Sequence, residues 1–225
     1  MNEIVRLKDI HKYFWHKTHI IKVLKGINLK IEKADTIAIT GASGSGKTTL
    51  LNIIGGLEPP TKGKVYFFGS DLYKMEESRI NLIRNRHIGF VFQFHYLLPE
   101  LTAIENIMLP ALIAGYSKKE ASDMAMSAIR DVGLEEKKGH KPGELSGGEQ
   151  QRIAIARAIV MSPEIILADE PTGNLDRITG KKIAELLLNL NRKKGIAIVV
   201  ATHNLEIAGM MKRRLELKDG ILHEE

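Results

Sequence analysis

The sequence predicts an α/β fold whose parallel-sheet core is interrupted by a helical insertion, and three observations lead there. A short apolar stretch, Thr36 to Thr40, runs straight into a glycine-rich loop and then into helical spacing. Two more short apolar runs, Ile165 to Ala168 and Ile196 to Ala201, flank a segment with apolar residues at Ile183, Leu186, Leu187 and Leu190, which is the βαβ pattern of buried parallel strands. Between Gln93 and Ile159 the pattern becomes one helix after another, so the core is entered, left and entered again.

In chain order, apolar alternation over Ile4 to Leu7 and at Leu24, Ile27, Leu29 and Ile31 predicts two early strands, with Thr36 to Thr40 a buried third. Helices follow Gly46 and fill Glu76 to Arg86, before a strand over His87 to Phe92. In the insertion, Ser117-x-x-Glu120 and Ser146-x-x-Glu149 match the capping box that begins a helix. No repeat, low-complexity segment or long linker separates freely moving units. We therefore expect one domain over 1–225, with a core lobe of 1–92 and 160–225 and a helical subdomain of 93–159.

At 225 residues and 44% hydrophobic content the chain can fill one such core. The longest apolar run, Ile196 to Ala201, is far short of the ~18 residues of a membrane span, and the opening residues contain no signal-peptide block. A cytoplasmic protein is the expectation. The absence of cysteine excludes disulfides and thiolate metal sites. The net charge of +6 is carried by pairs such as Lys118/Lys119, Lys181/Lys182 and Arg213/Arg214, scattered among acids, which is the pattern of a solvated surface and not of a nucleic-acid site.

The chemistry is concentrated in three segments. Gly41-Ala42-Ser43-Gly44-Ser45-Gly46-Lys47-Thr48, continuing into Thr49, is the P-loop pattern in its proper strand-to-helix context. Glycines let backbone N–H groups surround phosphates and the helix N-terminus adds positive potential; Lys47 then reaches the β- and γ-phosphates and the Thr48 hydroxyl ligates Mg²⁺. Asp169 and Glu170 end an apolar strand. Asp169 is the candidate metal partner, and Glu170 a candidate base or orienting group for the attacking water, a role worth about 10²- to 10⁴-fold in rate. An Asp-Glu pair after a strand is also an ordinary helix-start signal, so its weight comes from the P-loop beside it. The third segment, Leu145-Ser146-Gly147-Gly148-Glu149-Gln150, places a hydroxyl and two glycine amides at a helix start, which makes a second anion cradle. A chain with two cradles either binds two anions or shares each nucleotide with a second copy.

Leu145 to Gln150 resembles the signature motif of the ABC ATPases, P-loop NTPases with a RecA-like core, an N-terminal antiparallel β subdomain and a helical insertion. The resemblance implies ATP and Mg²⁺ as cofactors and a homodimer formed on ATP binding. Each nucleotide would lie between the P-loop of one copy and Ser146, Gly147, Gly148 and Glu149 of the other. It also implies two membrane-spanning partner subunits, no metal beyond the nucleotide's Mg²⁺, and a peripheral place on the cytoplasmic face of a bacterial inner membrane. Gln93 matches the Q-loop glutamine that contacts Mg²⁺ and water, Asp176 the D-loop aspartate, and His203 the switch histidine at the γ-phosphate. The adenine-stacking aromatic, commonly tyrosine, falls at Phe14, with Tyr13 as competitor.

Within the family, Phe92 to Pro99, Leu101 to Asn106 and Ala168 to Asp176 resemble the ATPases of lipoprotein-releasing systems, with macrolide-exporter and cell-division ATPases sharing much of this text. A soluble ABC ATPase of translation or repair would carry tandem cassettes or a coiled-coil insertion, and a small-molecule kinase would lack Leu145 to Gln150. After Gln93, the cluster Phe94, Tyr96, Leu97, Leu98 and Leu101 is more apolar than a solvated loop requires, which suggests either a docking groove or packing of the insertion on the core.

Overall fold

The computed structural model describes residues 2–16 and 19–224. Its first two strands, β1 (Glu3–His16) and β2 (His19–Glu32), pair antiparallel over their whole length and run well past the apolar alternation that announces them. The buried residues stop at Ile10 in β1 and begin at Leu24 in β2. The hairpin end beyond them, where Phe14 pairs with Ile21 and Trp15 with Ile20, covers no core and so left no core signature in the sequence. The fully buried β3 (Thr36–Thr40) leads through the glycine-rich loop into α1 (Lys47–Ile54). After β4 (Lys62–Phe67) and the short β5 (Ser70–Asp71), an antiparallel sheet is complete in the order β2-β1-β4-β5.

The chain continues through α2 (Glu77–His87) and β6 (Ile88–Phe92) into three helices, α3 (Ala103–Ile113), α4 (Lys118–Asp131) and α5 (Gly147–Ile159). Both expected capping boxes form, and a third that the sequence reading did not single out, Thr102 with Glu105, starts α3. The core resumes with β7 (Ile165–Asp169), α6 (Arg177–Lys194), β8 (Ala197–Ala201), α7 (Leu205–Ala208), β9 (Arg213–Lys218) and β10 (Ile221–Glu224). The second sheet has the order β10-β9-β3-β8-β7-β6 and is parallel except at β10.

This sheet divides the hydrophobic interior because successive side chains of a strand point to opposite faces. Ile37, Ile39, Ile165, Leu167 and Val199 pack with α1 and the antiparallel sheet. Ala38, Ile166, Ala168, Ile198 and Val200 join the helical side, where α3, α4, α5 and α6 supply the partners.

The loop after β6 is held from two sides. The fully buried Asn106 on α3 donates to the carbonyls of Leu98, Leu101 and Thr102 and accepts from the Leu98 N–H, while Arg157 on α5 donates to the carbonyls of His95 and Tyr96. Burial of the Arg157 guanidinium lowers its pKa from the usual arginine value. The apolar cluster of this loop is divided: Leu97 packs into the helical core, whereas Phe94, Tyr96 and Leu98 are exposed.

Candidate active site

Four neighbouring parallel strands, in the order β3-β8-β7-β6, end on one edge of the sheet. Their carboxyl ends carry the glycine-rich loop, His203, Asp169–Glu170 and Gln93, the position at which open α/β sheets bind ligands.

Gly46 caps α1 with φ 105°, and a Cβ there would lie 2.6 Å from Val23 Cγ1, so neither the conformation nor the space admits a larger residue. The first helical bond runs from the Leu50 N–H to the Gly46 carbonyl, so the N–H groups of Lys47, Thr48 and Thr49 are open donors at a helix N-terminus. Lys47 is buried, and its Nζ donates to the carbonyls of Gly41 at 2.9 Å and Ala42 at 3.0 Å. One of its three hydrogens remains for another acceptor. The Ser45 hydroxyl is buried in the same loop without a hydrogen-bond partner. Such a group calls for an acceptor or donor from a ligand.

Thr48 Oγ1 donates to Asp169 Oδ2 at 2.8 Å, joining the loop to the end of β7. Burial pushes the Asp169 carboxyl above its usual range, against the Thr48 hydrogen bond and the Lys47 charge, which pull it down. Glu170 has φ 45°, an uncommon conformation for a residue with a side chain, and costs on the order of 1–3 kcal/mol. Its surroundings hold it there. Its N–H donates to Ala201, one carboxylate oxygen accepts from Thr202 Oγ1 at 3.1 Å, and the other accepts from the His203 N–H at 3.0 Å and from Nδ1 at 2.8 Å. The Glu170 carboxylate only accepts, so Nδ1 donates to it, which leaves Nε2 as the outer end of an imidazole whose side chain is 70% exposed. Thr202, which was not among the expected site residues, thus aims Glu170; a threonine at a strand end gives no sequence signal of that role.

Gln93 follows Phe92, the register partner of Asp169, and its side chain bonds to Asn174. Ser146 caps α5: its hydroxyl donates to Glu149 Oε2 at 2.8 Å, and the Gly147 and Gly148 N–H groups precede the first helical bond, Gln150 N–H to the Ser146 carbonyl. Hydrogen bonds from Ser146 lower the Glu149 pKa. Ser146 and Gly147 are exposed, so this second cradle faces outward. Asp176 caps α6, accepting from the N–H groups of Ile178 and Thr179. Hydrogen bonding from the Thr179 side chain, then from these N–H groups, holds its carboxyl below the usual range.

Phe14 is 38% exposed, with the Lys12 ammonium 5.1 Å from its ring centroid. Its register partner Ile21 lines a cleft with Ala42, Ser43 and Gly44 of the glycine-rich loop. Tyr13 is engaged otherwise: its hydroxyl meets His11 Nδ1 at 3.2 Å and Lys22 lies over its ring.

Thr48 and Asp169 offer the hard oxygen donors that Mg²⁺ takes, and a carboxylate strained by burial gains from a cation. Among the described residues no group of three or more His, Cys, Asp or Glu could hold a metal ion. Among the described residues, too, no helix is long and apolar enough to cross a membrane.

The model of the ABC transporter family matches residues 24–173. The chain is 52% identical over 217 residues to the lipoprotein-releasing system ATP-binding protein LolD of Syntrophus aciditrophicus, covering 96% of this chain and 97% of that protein. It is 49% identical over 220 residues to the protein of the same name from Geobacter metallireducens, covering 98% of each. Among solved structures, a dimeric bacterial ABC transporter cassette superposes with a TM-score of 0.90 at 44% identity, covering 99% of this chain and 98% of that one. A dimeric post-hydrolysis state of an ATP-binding cassette with ADP and Pi bound gives 0.89 at 44% identity, over 99% and 98%.

Proposed function

Because the chain belongs to the ABC transporter family, we propose that it is the ATP-hydrolysing subunit of a bacterial transporter and that its ATP turnover drives release of lipoproteins from the inner membrane. The observation that carries the enzymatic part is convergence: a phosphate loop with open amides, a Thr48–Asp169 pair 2.8 Å apart and an oriented Glu170–His203 pair share one sheet edge. In this reading residues 41–49 hold the phosphates, with Lys47 at the β- and γ-phosphates. Thr48, Asp169 and Gln93 hold the nucleotide's Mg²⁺, which when bound neutralises phosphate charge. Glu170 orients the attacking water or takes its proton, and His203 presents Nε2 toward the γ-phosphate.

The outward cradle of Ser146, Gly147, Gly148 and Glu149 serves the nucleotide of a second copy, so ATP closes a homodimer with two composite sites. Asp176, whose carboxylate caps its own helix, fixes the start of α6 beside that cradle. Titration of the protein with ATP and light scattering tests this part: a monomer with ATP bound at every concentration contradicts it.

Adenine stacks on Phe14. Phe14→Ala then weakens nucleotide binding by about 1–3 kcal/mol, the range of base–aromatic stacking, and Tyr13→Ala does less. Fluorescent-nucleotide titration checks the order; the reverse order moves the platform to Tyr13.

The membrane partners are received where the helical subdomain, residues 93–159, meets the core lobe. An apolar cleft between α2, β6, α3 and α5 is lined by Leu57, Phe90, Phe92, Ile113 and Met161, with exposed Tyr96 packed edge-on against Phe92 at its rim. Two membrane-spanning subunits dock here, one on each copy, which holds the ATPase peripherally on the cytoplasmic face. Tyr96→Asp and Ile113→Asp, both at exposed side chains, should leave melting temperature and ATP affinity unchanged while abolishing co-purification with the membrane subunits. Normal co-purification places the docking surface elsewhere. The cargo reading is tested by depleting the protein from its bacterium: lipoproteins destined for export should accumulate in the inner membrane, and unaltered sorting rejects it.

A further inference from the structure

Asn174, on the loop between β7 and α6, makes two hydrogen bonds to a single residue. Its Nδ2 donates to the main-chain carbonyl of Gln93 at 3.1 Å, and its Oδ1 accepts from Gln93 Nε2 at 2.9 Å. A backbone carbonyl only accepts, so Asn174 must turn its NH₂ toward it, which leaves its oxygen facing the Gln93 side chain. That oxygen also only accepts, so Gln93 must answer with Nε2. One main-chain oxygen thereby orients two carboxamides whose ends are alike in shape, and the end left over is Gln93 Oε1, which has no hydrogen-bond partner among the described residues. The neighbouring Gly173 makes room for this arrangement, since a Cβ there would lie 2.9 Å from Gln93 Nε2 and 3.1 Å from Cδ. Asn174 itself is exposed.

We propose that Asn174 is a positioning residue that sets the polarity of the Gln93 carboxamide, so that its oxygen and not its nitrogen is offered to the cation carried by the nucleotide. The proposal rests on the reading of Gln93 as a residue of the nucleotide site. Mg²⁺ and Mn²⁺ accept amide oxygen as a ligand, whereas an amide NH₂ turned toward either repels it. Without Asn174 nothing in the loop selects between the two orientations. Alanine removes both bonds, and aspartate keeps an acceptor for Nε2 but opposes the Gln93 carbonyl with a carboxylate.

The test is a calorimetric titration of Mn²⁺ into protein loaded with a non-hydrolysable ATP analogue, beside melting temperature and metal-free affinity for the same analogue. Asn174→Ala and Asn174→Asp should each weaken Mn²⁺ binding about tenfold, the scale of lost support behind a metal ligand, with melting and metal-free nucleotide affinity unchanged. Gln93→Ala should weaken it at least as much, and Gln93→Ala/Asn174→Ala no further, because the asparagine acts through the glutamine. Additive losses in the double variant overturn the proposal, as does normal Mn²⁺ affinity in Asn174→Ala when Gln93→Ala has lost it. If Gln93→Ala itself binds Mn²⁺ normally, the assignment of Gln93 to the nucleotide site falls, and the role of Asn174 falls with it.

Discussion

Glu170→Gln is expected to bind ATP and hold it, with turnover reduced about 10²- to 10⁴-fold, the usual contribution of a positioned general base. The amide keeps the size of the side chain; its one oxygen can still accept from the His203 N–H, and its NH₂ can donate to the Thr202 hydroxyl, which turns from donor to acceptor. It loses the charge and basicity that act on water. The ligands of the nucleotide are untouched, because Lys47, Thr48 and Asp169 bond among themselves and to the loop without Glu170. ATP should therefore accumulate in a persistent dimer on size-exclusion chromatography, and turnover should be measured on the same sample. Undiminished steady-state hydrolysis removes Glu170 from the reaction.

The second large effect is expected from either cradle alone. Lys47→Ala removes a buried ammonium that holds two loop carbonyls and has one hydrogen to spare, and a lost charge-assisted hydrogen bond is worth about 1.5–3 kcal/mol. Ser146→Arg places a long cation before the Gly147 and Gly148 amides. Because Ser146 is exposed and serves its own chain only as a helix cap, the cost to folding is about 1 kcal/mol, while composite-site turnover should vanish. Circular dichroism melting separates the two effects: a folded, inactive Ser146→Arg variant is predicted, and a folded, fully active one is not.

Much of this site is contiguous in sequence and was legible for that reason. The loop from Gly41 to Thr49 needs only local chemistry, and so do the capping boxes at Ser117 and Ser146. The strands Thr36 to Thr40 and Ile165 to Ala168 were plain because full burial on both faces gives an unbroken apolar run. In contrast, β4 begins Lys62-Gly63-Lys64 and β9 reads Arg213-Arg214-Leu215-Glu216-Leu217-Lys218, alternating patterns whose polar half hides a strand at the margin of the core. The outer hairpin of β1 and β2 is paired but uncovered, so its apolar residues Phe14, Trp15, Ile20 and Ile21 stand in adjacent pairs without the alternation of a strand that covers a core.

What residue patterns could not supply was the order β3-β8-β7-β6, which is not the order of the chain and which alone brings Thr48 to Asp169 and Glu170 to His203. Family resemblance ordered the motifs without showing these bonds. Thr202 and Asn174 were missed for the same reason: their partners are set by tertiary geometry, not spacing. The loop after Gln93 gave a mixed signal because it is mixed, with Leu97 turned into the helical core and Tyr96 turned out.

The central claim is that each ATP is held by two copies of the chain, and mixing variants tests it most directly. Subunits carrying only Lys47→Ala are combined with subunits carrying only Ser146→Arg, and separately subunits carrying both changes are combined with wild type; tagged heterodimers are purified and the ATP occluded in each is counted. If sites are shared, the first heterodimer gathers both defects into one site and keeps the other whole, so it retains occluded ATP, whereas in the second every site is damaged and occlusion is lost. The opposite pattern, with the first heterodimer empty and the second retaining ATP, would mean that both cradles serve the nucleotide of their own chain and would contradict the account.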